Sequence, residues 1–116
     1  MKRLVILLVI IFAFFLSNSY SQDQISSKDA KDYIGKTIQV KGKVASIFVS
    51  QKGNTFINFD DKSPNQTFTV VLMSETKMDI SKIKEESILT VYGEIKEYKG
   101  KPEIILEDSS QIISIE

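Results

Sequence analysis

Two segments of the chain repeat one pattern, in which apolar residues alternate with polar ones and a glycine falls on the apolar phase. The first, at residues 38–44, reads I-x-V-x-G-x-V, and the second, at residues 89–95, reads L-x-V-x-G-x-I. Alternation with a period of two predicts strands with one buried face. A glycine inside a strand, here Gly42 or Gly93, marks a bend or a bulge. Two long strands that bend at mid-length favour a small closed barrel.

The remaining elements follow in an order that such a barrel needs. Residues 27–35 predict a short N-terminal helix, with Ser27 as its cap and Gly35 at its end. Strands are predicted at residues 38–48, 55–60, 67–73, 87–98 and 103–107, a short helix at residues 78–86 with Asp79 as its cap, and a further short strand at residues 111–115. This order predicts an all-β, five-stranded OB-fold barrel with a helix between strands three and four. An open antiparallel sheet and an SH3-like barrel are the alternatives, and neither explains that helix as well.

The first 21 residues predict a cleaved signal peptide. Lys2 and Arg3 precede an apolar run at residues 4–16, and Ser19-x-Ser21 follows as a small-x-small cleavage site. A helix of this length rises about 20 Å, which is short of the ~30 Å hydrocarbon core of a bilayer. We expect a domain at residues 22–116 that a bacterium exports, periplasmic or secreted, with no stable membrane anchor after cleavage. The alternative is an uncleaved N-terminal anchor.

The absence of several residue types excludes whole classes of chemistry. The chain has no Cys and no His, which leaves no disulfide, no lipid-accepting Cys, no Cys/His zinc site and no Ser-His-Asp triad. Cleavage removes Arg3, the one arginine, and a barrel nuclease needs the bidentate arginine fork on phosphate. The acidic loop at residues 61–72 departs from a calcium loop at Gln66 and Leu72, its sixth and twelfth positions. We therefore predict a protein that is not an enzyme and has no cofactor and no metal.

Six short runs of residues carry a family resemblance. They are GKTIQVKGKV at residues 35–44, TFINF at 55–59, PNQTFTVV at 64–71, VYGEI at 91–95, YKGKPEI at 98–104 and QI at 111–112. In this order they resemble exported bacterial OB-fold proteins described as nucleic-acid-binding, over about residues 27–113. The resemblance implies the OB fold and a role in binding nucleic acid.

The run FINFxD at residues 56–61 carries a second resemblance. It is similar to the second strand of the anticodon-binding OB domain of class II aminoacyl-tRNA synthetases. In that domain the first aromatic residue of the run stacks on a base, so the resemblance implies this role for Phe56. The alternative is that the N-terminal helix covers Phe56 through Tyr33 or Ile34.

Alternation assigns an outward face to the predicted strands, and with it a candidate binding surface. Lys41 and Lys43 share the outward phase of Phe56, so we expect them to hold a phosphate backbone beside that ring. The full set of predicted nucleic-acid-binding residues is Lys41, Lys43, Lys52, Phe56, Asn58, Thr69, Tyr98, Lys99 and Lys101. Lysines combined with aromatic rings are typical of proteins that bind single strands.

The predicted partner is single-stranded DNA or RNA, and the sequence names no partner protein. Cleavage removes Lys2 and Arg3 from the 15 basic residues and none of the 15 acidic residues, so the net charge becomes −2. This balance argues against strong non-specific affinity for nucleic acid. The alternative is a small molecule, peptide or glycan on the same face, and the third possibility is a nuclease relative that lacks the arginines for phosphate chemistry.

Overall fold

The computed structural model describes residues 23–116, so the predicted signal peptide and its cleavage site lie outside the described residues. The strands are β1 (Gln24–Ser26), β2 (Thr37–Val49), β3 (Thr55–Phe59), β4 (Phe68–Leu72), β5 (Ile88–Glu94), β6 (Lys96–Tyr98), β7 (Lys101–Leu106) and β8 (Ile112–Ile115). Two short 3₁₀ helices lie at Ser27–Asp32, before β2, and at Ser109–Gln111, before β8. Within residues 23–116 no helix is long and apolar enough to cross a bilayer.

The strands close into a barrel around the long strand β2. Its C-terminal half pairs with β3, from Val44 opposite Phe59 to Val49 opposite Thr55, and its N-terminal half pairs with β5. Next, β3 pairs with β4, β4 pairs in parallel with β7, and β7 forms a hairpin with β6, which directly continues β5. This path confirms the predicted all-β OB-fold barrel. The five predicted strands are β2, β3, β4, β5 together with β6, and β7.

Two further strands extend the barrel. The strand β1 lies parallel to β2, with Gln24 opposite Gln39. The strand β8 lies antiparallel to β5, with Leu89 opposite Ile115. The described chain therefore has more strands than the five predicted for the barrel, and β8 corresponds to the short strand predicted at residues 111–115.

Alternating residues of these strands fill the barrel interior. Phe59 and Phe68 lie opposite each other on β3 and β4, and their ring centroids are 5.0 Å apart in an edge-to-face arrangement. The other large buried hydrophobic residues of the strands include Ile38, Val40, Val44, Ile57, Val70, Leu72, Leu89, Val91, Ile104 and Leu106. Because this phase faces inward, the opposite phase forms the outer face of the barrel.

The N-terminal 3₁₀ helix packs into the barrel. Its Ala30 is fully buried in the core, and the helix contacts β2, β4 and β7. Ser26 caps it, because the Ser26 hydroxyl accepts a hydrogen bond from the backbone N–H of Lys28 at 3.2 Å. The predicted cap, Ser27, is therefore wrong by one residue. Ser27 is buried and donates a hydrogen bond of 2.7 Å to the Asp60 carboxylate, which ties the helix to the end of β3.

The helix predicted at residues 78–86 is wrong, because this segment forms a series of turns. A helix of this length is marginal on its own, and here tertiary packing decides the conformation: Ile83 is buried in the core and Ile80 packs against it. Asp79 still caps a turn, since its carboxylate accepts a hydrogen bond of 2.9 Å from the backbone N–H of Ser81. This hydrogen bond holds the pKa of Asp79 below its ordinary value.

Candidate nucleic-acid interface

An open groove lies on the outer face of the barrel, over β2, β3, β4 and β7, and has a volume of about 370 Å³. The loop between β3 and β4 and the turn between β6 and β7 form its borders. The residues that line it are Phe48, Phe56, Asn58, Ser63, Pro64, Gln66, Thr69, Tyr98, Lys99, Lys101, Pro102 and Glu103. The groove thus lies on the face that OB barrels use for binding.

Three aromatic rings line the groove. Phe48 and Phe56 are direct partners on β2 and β3, and their ring centroids are 6.3 Å apart. Phe48 is 59% exposed and Tyr98 is 55% exposed, and the Lys99 ammonium lies 5.4 Å from the centre of the Tyr98 ring. The alternative in which the N-terminal helix covers Phe56 is wrong, because this ring lines the groove beside Phe48.

A row of polar residues crosses the groove floor from strand to strand. Ser46, Asn58, Thr69, Glu103 and Lys96 stand opposite one another in register on β2, β3, β4, β7 and β6. The Thr69 hydroxyl donates to the Asn58 side-chain oxygen at 3.1 Å, and the Asn58 amide donates to the Ser46 hydroxyl at 3.2 Å. Asn58 and Thr69 are only 4% and 6% exposed. These hydrogen bonds therefore satisfy the buried polar groups at the centre of the floor.

Charges lie mainly on the β6–β7 side of the groove. The Lys101 ammonium donates a hydrogen bond of 3.0 Å to the backbone carbonyl of Gln66, which anchors the side chain across the groove. An ammonium has three donors, so Lys101 keeps two for a ligand. Glu103 is half-buried on the same face, and burial raises the pKa of its carboxyl above the ordinary value, against the opposing effect of the Lys96 charge.

The structure brings most of the predicted site residues into this groove. Those that line it are Phe56, Asn58, Thr69, Tyr98, Lys99 and Lys101. The predicted Lys52 lies outside it, exposed in the turn between β2 and β3. The aromatic and polar part of the predicted surface is thus assembled in one place, whereas three of its five lysines, Lys41, Lys43 and Lys52, lie outside the groove.

The predicted position of Lys41 and Lys43 beside Phe56 is wrong. Both lysines lie in the N-terminal half of β2, which pairs with β5, whereas Phe56 lies opposite the C-terminal half. Lys41 forms an exposed ion pair with Glu116 at 3.4 Å, and Lys43 forms one with Glu86 at 2.6 Å. Neither lysine lines the groove.

The physical reason for this error is the register of β2, because β3 lies opposite residues 44–49 while residues 37–43 pair with β5. A β-bulge at Ala45 separates these two halves of the strand. The register of β2 against β3 shifts between Val44 and Ser46, so one extra residue enters β2 and the alternation of its side chains changes phase. Val44 is buried before the bulge, and after it Ile47 packs against the core while Phe48 faces the groove. The move of the apolar phase from Val44 to Ile47 is the signal in the sequence that identifies Phe48.

The sequence-based set also missed residues from β7 and from the β3–β4 loop. Glu103 shares the outward phase of Lys101, so alternation along β7 identifies it. Gln66 and Pro64 carry no such signal, because they belong to an irregular loop. The side-chain oxygen of Gln66 is buried and has no hydrogen-bond partner among the described residues, which is unusual for a buried polar atom.

A second, smaller pocket of about 230 Å³ contains acidic residues. Its lining residues are Lys43, Ala45, Asp60, Asp61, Lys62 and Glu86. The Asp60 carboxylate accepts hydrogen bonds from the hydroxyls of Ser27 and Thr67, and Glu86 pairs with Lys43. In the described part of the chain no group of three or more acidic, His or Cys residues is placed to hold a metal ion.

A closed barrel of this topology, with aromatic rings and lysines on its outer groove, defines the class of OB-fold binding domains. Residues 38–112 match the family described as the OB-fold nucleic acid binding domain, of the tRNA anti-codon type. The match spans more than half of the chain, so the chain belongs to this family. No curated protein matches the chain.

Several solved structures are similar to the chain. One is a protein from Leishmania major Friedlin described as an aspartyl-tRNA synthetase, with 13% identity and a TM-score of 0.54 over 77% of this chain and 20% of that chain. Another is the telomere capping protein Ten1 from Saccharomyces pombe, with 19% identity and a TM-score of 0.42 over 74% of this chain and 78% of that chain. The chain therefore spans about a fifth of the synthetase.

Proposed function

We propose that this protein is a non-enzymatic OB-fold module that binds single-stranded nucleic acid in the groove lined by Phe48 and Phe56. The family supports nucleic acid as the ligand class. The observation that carries the proposal is the pair of rings, 6.3 Å apart, on the open face of the barrel. Phe48 is exposed beside Phe56, so the pair offers ring surface to a ligand, and bases stack on such rings whatever their identity.

The groove offers separate places for the two parts of a nucleotide. Bases would stack on Phe48 and Phe56, each stacked base contributing roughly 1–3 kcal/mol. Phosphates would lie along Lys99 and Lys101 at the border of the groove. Because the ammonium of Lys99 already lies over the Tyr98 ring, these three residues form one cationic and aromatic edge.

A fluorescence-anisotropy titration with labelled oligo-dT tests this function. Phe48→Ala and Phe56→Ala should each weaken binding by ~1–3 kcal/mol, about five- to 150-fold, because each removes a stacking ring. Tyr33→Ala is the matched control, since Tyr33 is an aromatic residue on the surface outside the groove, and its affinity should stay that of the wild type.

Thermal melting of the same variants separates stacking from folding. If Phe56→Ala lowers the melting temperature and leaves binding unchanged, the ring is structural and the proposed site is wrong. Absence of oligo-dT binding by the folded wild-type domain at low salt would overturn the nucleic-acid proposal itself.

A small molecule, peptide or glycan in the same groove is the second candidate. It is favoured by the small number of cations there, since Lys99 and Lys101 are the basic residues of the lining and Glu103 offsets one of them. Binding of an uncharged ligand would show little salt dependence, whereas binding of nucleic acid weakens as salt rises.

We also propose that a bacterium exports the domain and that it performs no catalysis. The apolar run at residues 4–16 before Ser19-x-Ser21 supports export. The lack of His and Cys in the chain, and of Arg after residue 3, supports a binding role over an enzymatic one. Metal-dependent cleavage of an oligonucleotide by the purified domain would contradict the proposal that it performs no catalysis.

A further inference from the structure

Glu103 is the acidic residue among those that line the groove. It lies within the polar row of the floor, with Thr69 opposite it on β4 and Lys96 opposite it on β6. In the described part of the chain, ion pairs shorter than 4.0 Å join Lys41 with Glu116 and Lys43 with Glu86, and Glu103 forms none. An acidic group thus stands without a direct ionic partner on a surface proposed to bind a polyanion.

Charged and neutral residues from the neighbouring strands and loops surround the Glu103 carboxylate. Lys96 on β6 stands opposite it, and Lys101 lies two residues before it on the same face of β7, with Lys99 in the adjoining turn. The strand β4 contributes the neutral Thr69, and the β3–β4 loop lines the groove with neutral residues. Burial raises the pKa of the Glu103 carboxyl and outweighs the opposing effect of the Lys96 charge.

We infer that Glu103 is a specificity-determining residue, whose carboxylate keeps phosphate groups off the groove floor and leaves that floor to uncharged bases. This inference rests on the function proposed above. A phosphate drawn towards Lys101 can approach either from the border or from the floor, and on the floor side it meets Glu103. Two like charges about 4 Å apart repel each other measurably even in a medium of high dielectric constant.

The carboxylate therefore disfavours binding in which the phosphate backbone of the nucleic acid, and not its bases, occupies the groove floor. It disfavours a ligand that offers phosphates alone, and it tolerates one that presents bases to Phe48 and Phe56. Protonation of Glu103 removes the same repulsion, so acidification should relax the selectivity. The sign follows from linkage: a bound phosphate beside the carboxyl favours its protonated form, hence binding takes up a proton and tightens as the pH falls.

The test compares two ligands of equal length and equal phosphate count: oligo-dT and an abasic oligomer of the same length. Thymine does not change its charge between acidic and neutral pH, and the abasic oligomer has no base, so an effect of acidification on binding reports on the protein. Dissociation constants are measured by anisotropy at constant ionic strength for the wild type and for Glu103→Gln. The matched control is Glu97→Gln, which makes the same change in net charge on the neighbouring β6 outside the groove lining.

We expect Glu103→Gln to tighten binding of the abasic oligomer by about three- to tenfold and that of oligo-dT by much less, so the preference for bases shrinks. A lower pH should reduce the preference of the wild type for oligo-dT over the abasic oligomer and leave the preference of Glu103→Gln unchanged. Equal shifts for both ligands, matching those of Glu97→Gln, would overturn the inference while oligo-dT binding still stands. Failure of the folded wild type to bind oligo-dT at every pH would overturn the proposed function and this inference together.

Discussion

Gly42 and Gly93 show, at the scale of single residues, why two strands of this barrel carry glycine on their apolar phase. A Cβ on Gly42 would lie 2.6 Å from the Cβ of Ser27 and 2.8 Å from the Phe59 ring. A Cβ on Gly93 would lie 2.9 Å from the Cγ2 methyl of Ile104. Real Cβ atoms do not come this close to other atoms, so the glycines let the N-terminal 3₁₀ helix and β7 approach the two strands.

Replacing either glycine should therefore destabilise the domain. We expect Gly93→Val to lower the free energy of unfolding by ~1–3 kcal/mol and Gly42→Val to lower it by at least as much. The order follows because Gly42 meets the Cβ of Ser27, which is fixed to the backbone, whereas Gly93 meets the Cγ2 methyl of Ile104, which is one bond farther from the backbone and can move by rotation about χ1. Denaturant unfolding measures both, with Lys41→Val as a control on the outward phase of β2. Unchanged unfolding midpoints in both glycine variants would show that the close contacts at Gly42 and Gly93 do not require glycine.

At the scale of elements, β2 shows what periodicity in a sequence can and cannot reveal. The alternation at residues 38–44 correctly placed Val40 and Val44 in the core. The bulge that follows turns Phe48 to the groove, while Lys41 lies in the half of β2 that pairs with β5. A single inserted residue reverses every later side chain of a strand, so a face assigned from one half of a long strand cannot be extended to the other.

The two predicted helices show the same limit. Short segments have weak intrinsic preference for helix, and packing decides their conformation. Residues 27–32 form a helix because Ala30 enters the core and Ser26 caps the first turn. Residues 78–86 keep Ile83 in the core through turns alone. The apolar positions were thus predictable, whereas the backbone path between them was not.

The site was predictable where it depends on strands and turns with a local signal. Tyr98, Lys99 and Lys101 surround Gly100, whose φ of +79° marks the β6–β7 turn that the Lys-Gly pair predicts. The row that joins Asn58 and Thr69 to Glu103 depends on the parallel pairing of β4 with β7. Such pairing brings together residues far apart in sequence, and no periodicity within one strand reports it.

At the scale of the whole molecule, the export proposal makes a prediction about the mature chain. Mass spectrometry of natively expressed protein should find an N-terminus at or near Gln22, because the apolar run ends before a small-x-small site at Ser19 and Ser21. Cleavage there removes no described strand, since β1 begins at Gln24, so the barrel should fold without the leader. A mass that retains Met1, found in a membrane fraction, would contradict cleavage and indicate a tethered domain.

The charge distribution of the whole molecule predicts how its binding responds to salt. Each phosphate contact to a single strand contributes about −0.7 to the slope of log K against log salt. The groove offers two lysines, Lys99 and Lys101, so the slope for oligo-dT should be about −1.4. Replacing Lys99 and Lys101 with Gln should flatten it towards zero and weaken binding, whereas replacing Lys41 and Lys43 with Gln, an identical change in net charge outside the groove, should leave it unchanged.

Anisotropy titrations at several salt concentrations measure these slopes, and thermal melting checks the fold of each variant, because Lys101 also donates to the carbonyl of Gln66. The two double variants lose the same number of positive charges, so a difference between their slopes reports where the phosphates lie. If the Lys41/Lys43 variant flattens the slope and the Lys99/Lys101 variant does not, the nucleic acid runs over the N-terminal half of β2. The groove lined by Phe48 and Phe56 would then not be the path of the phosphate backbone.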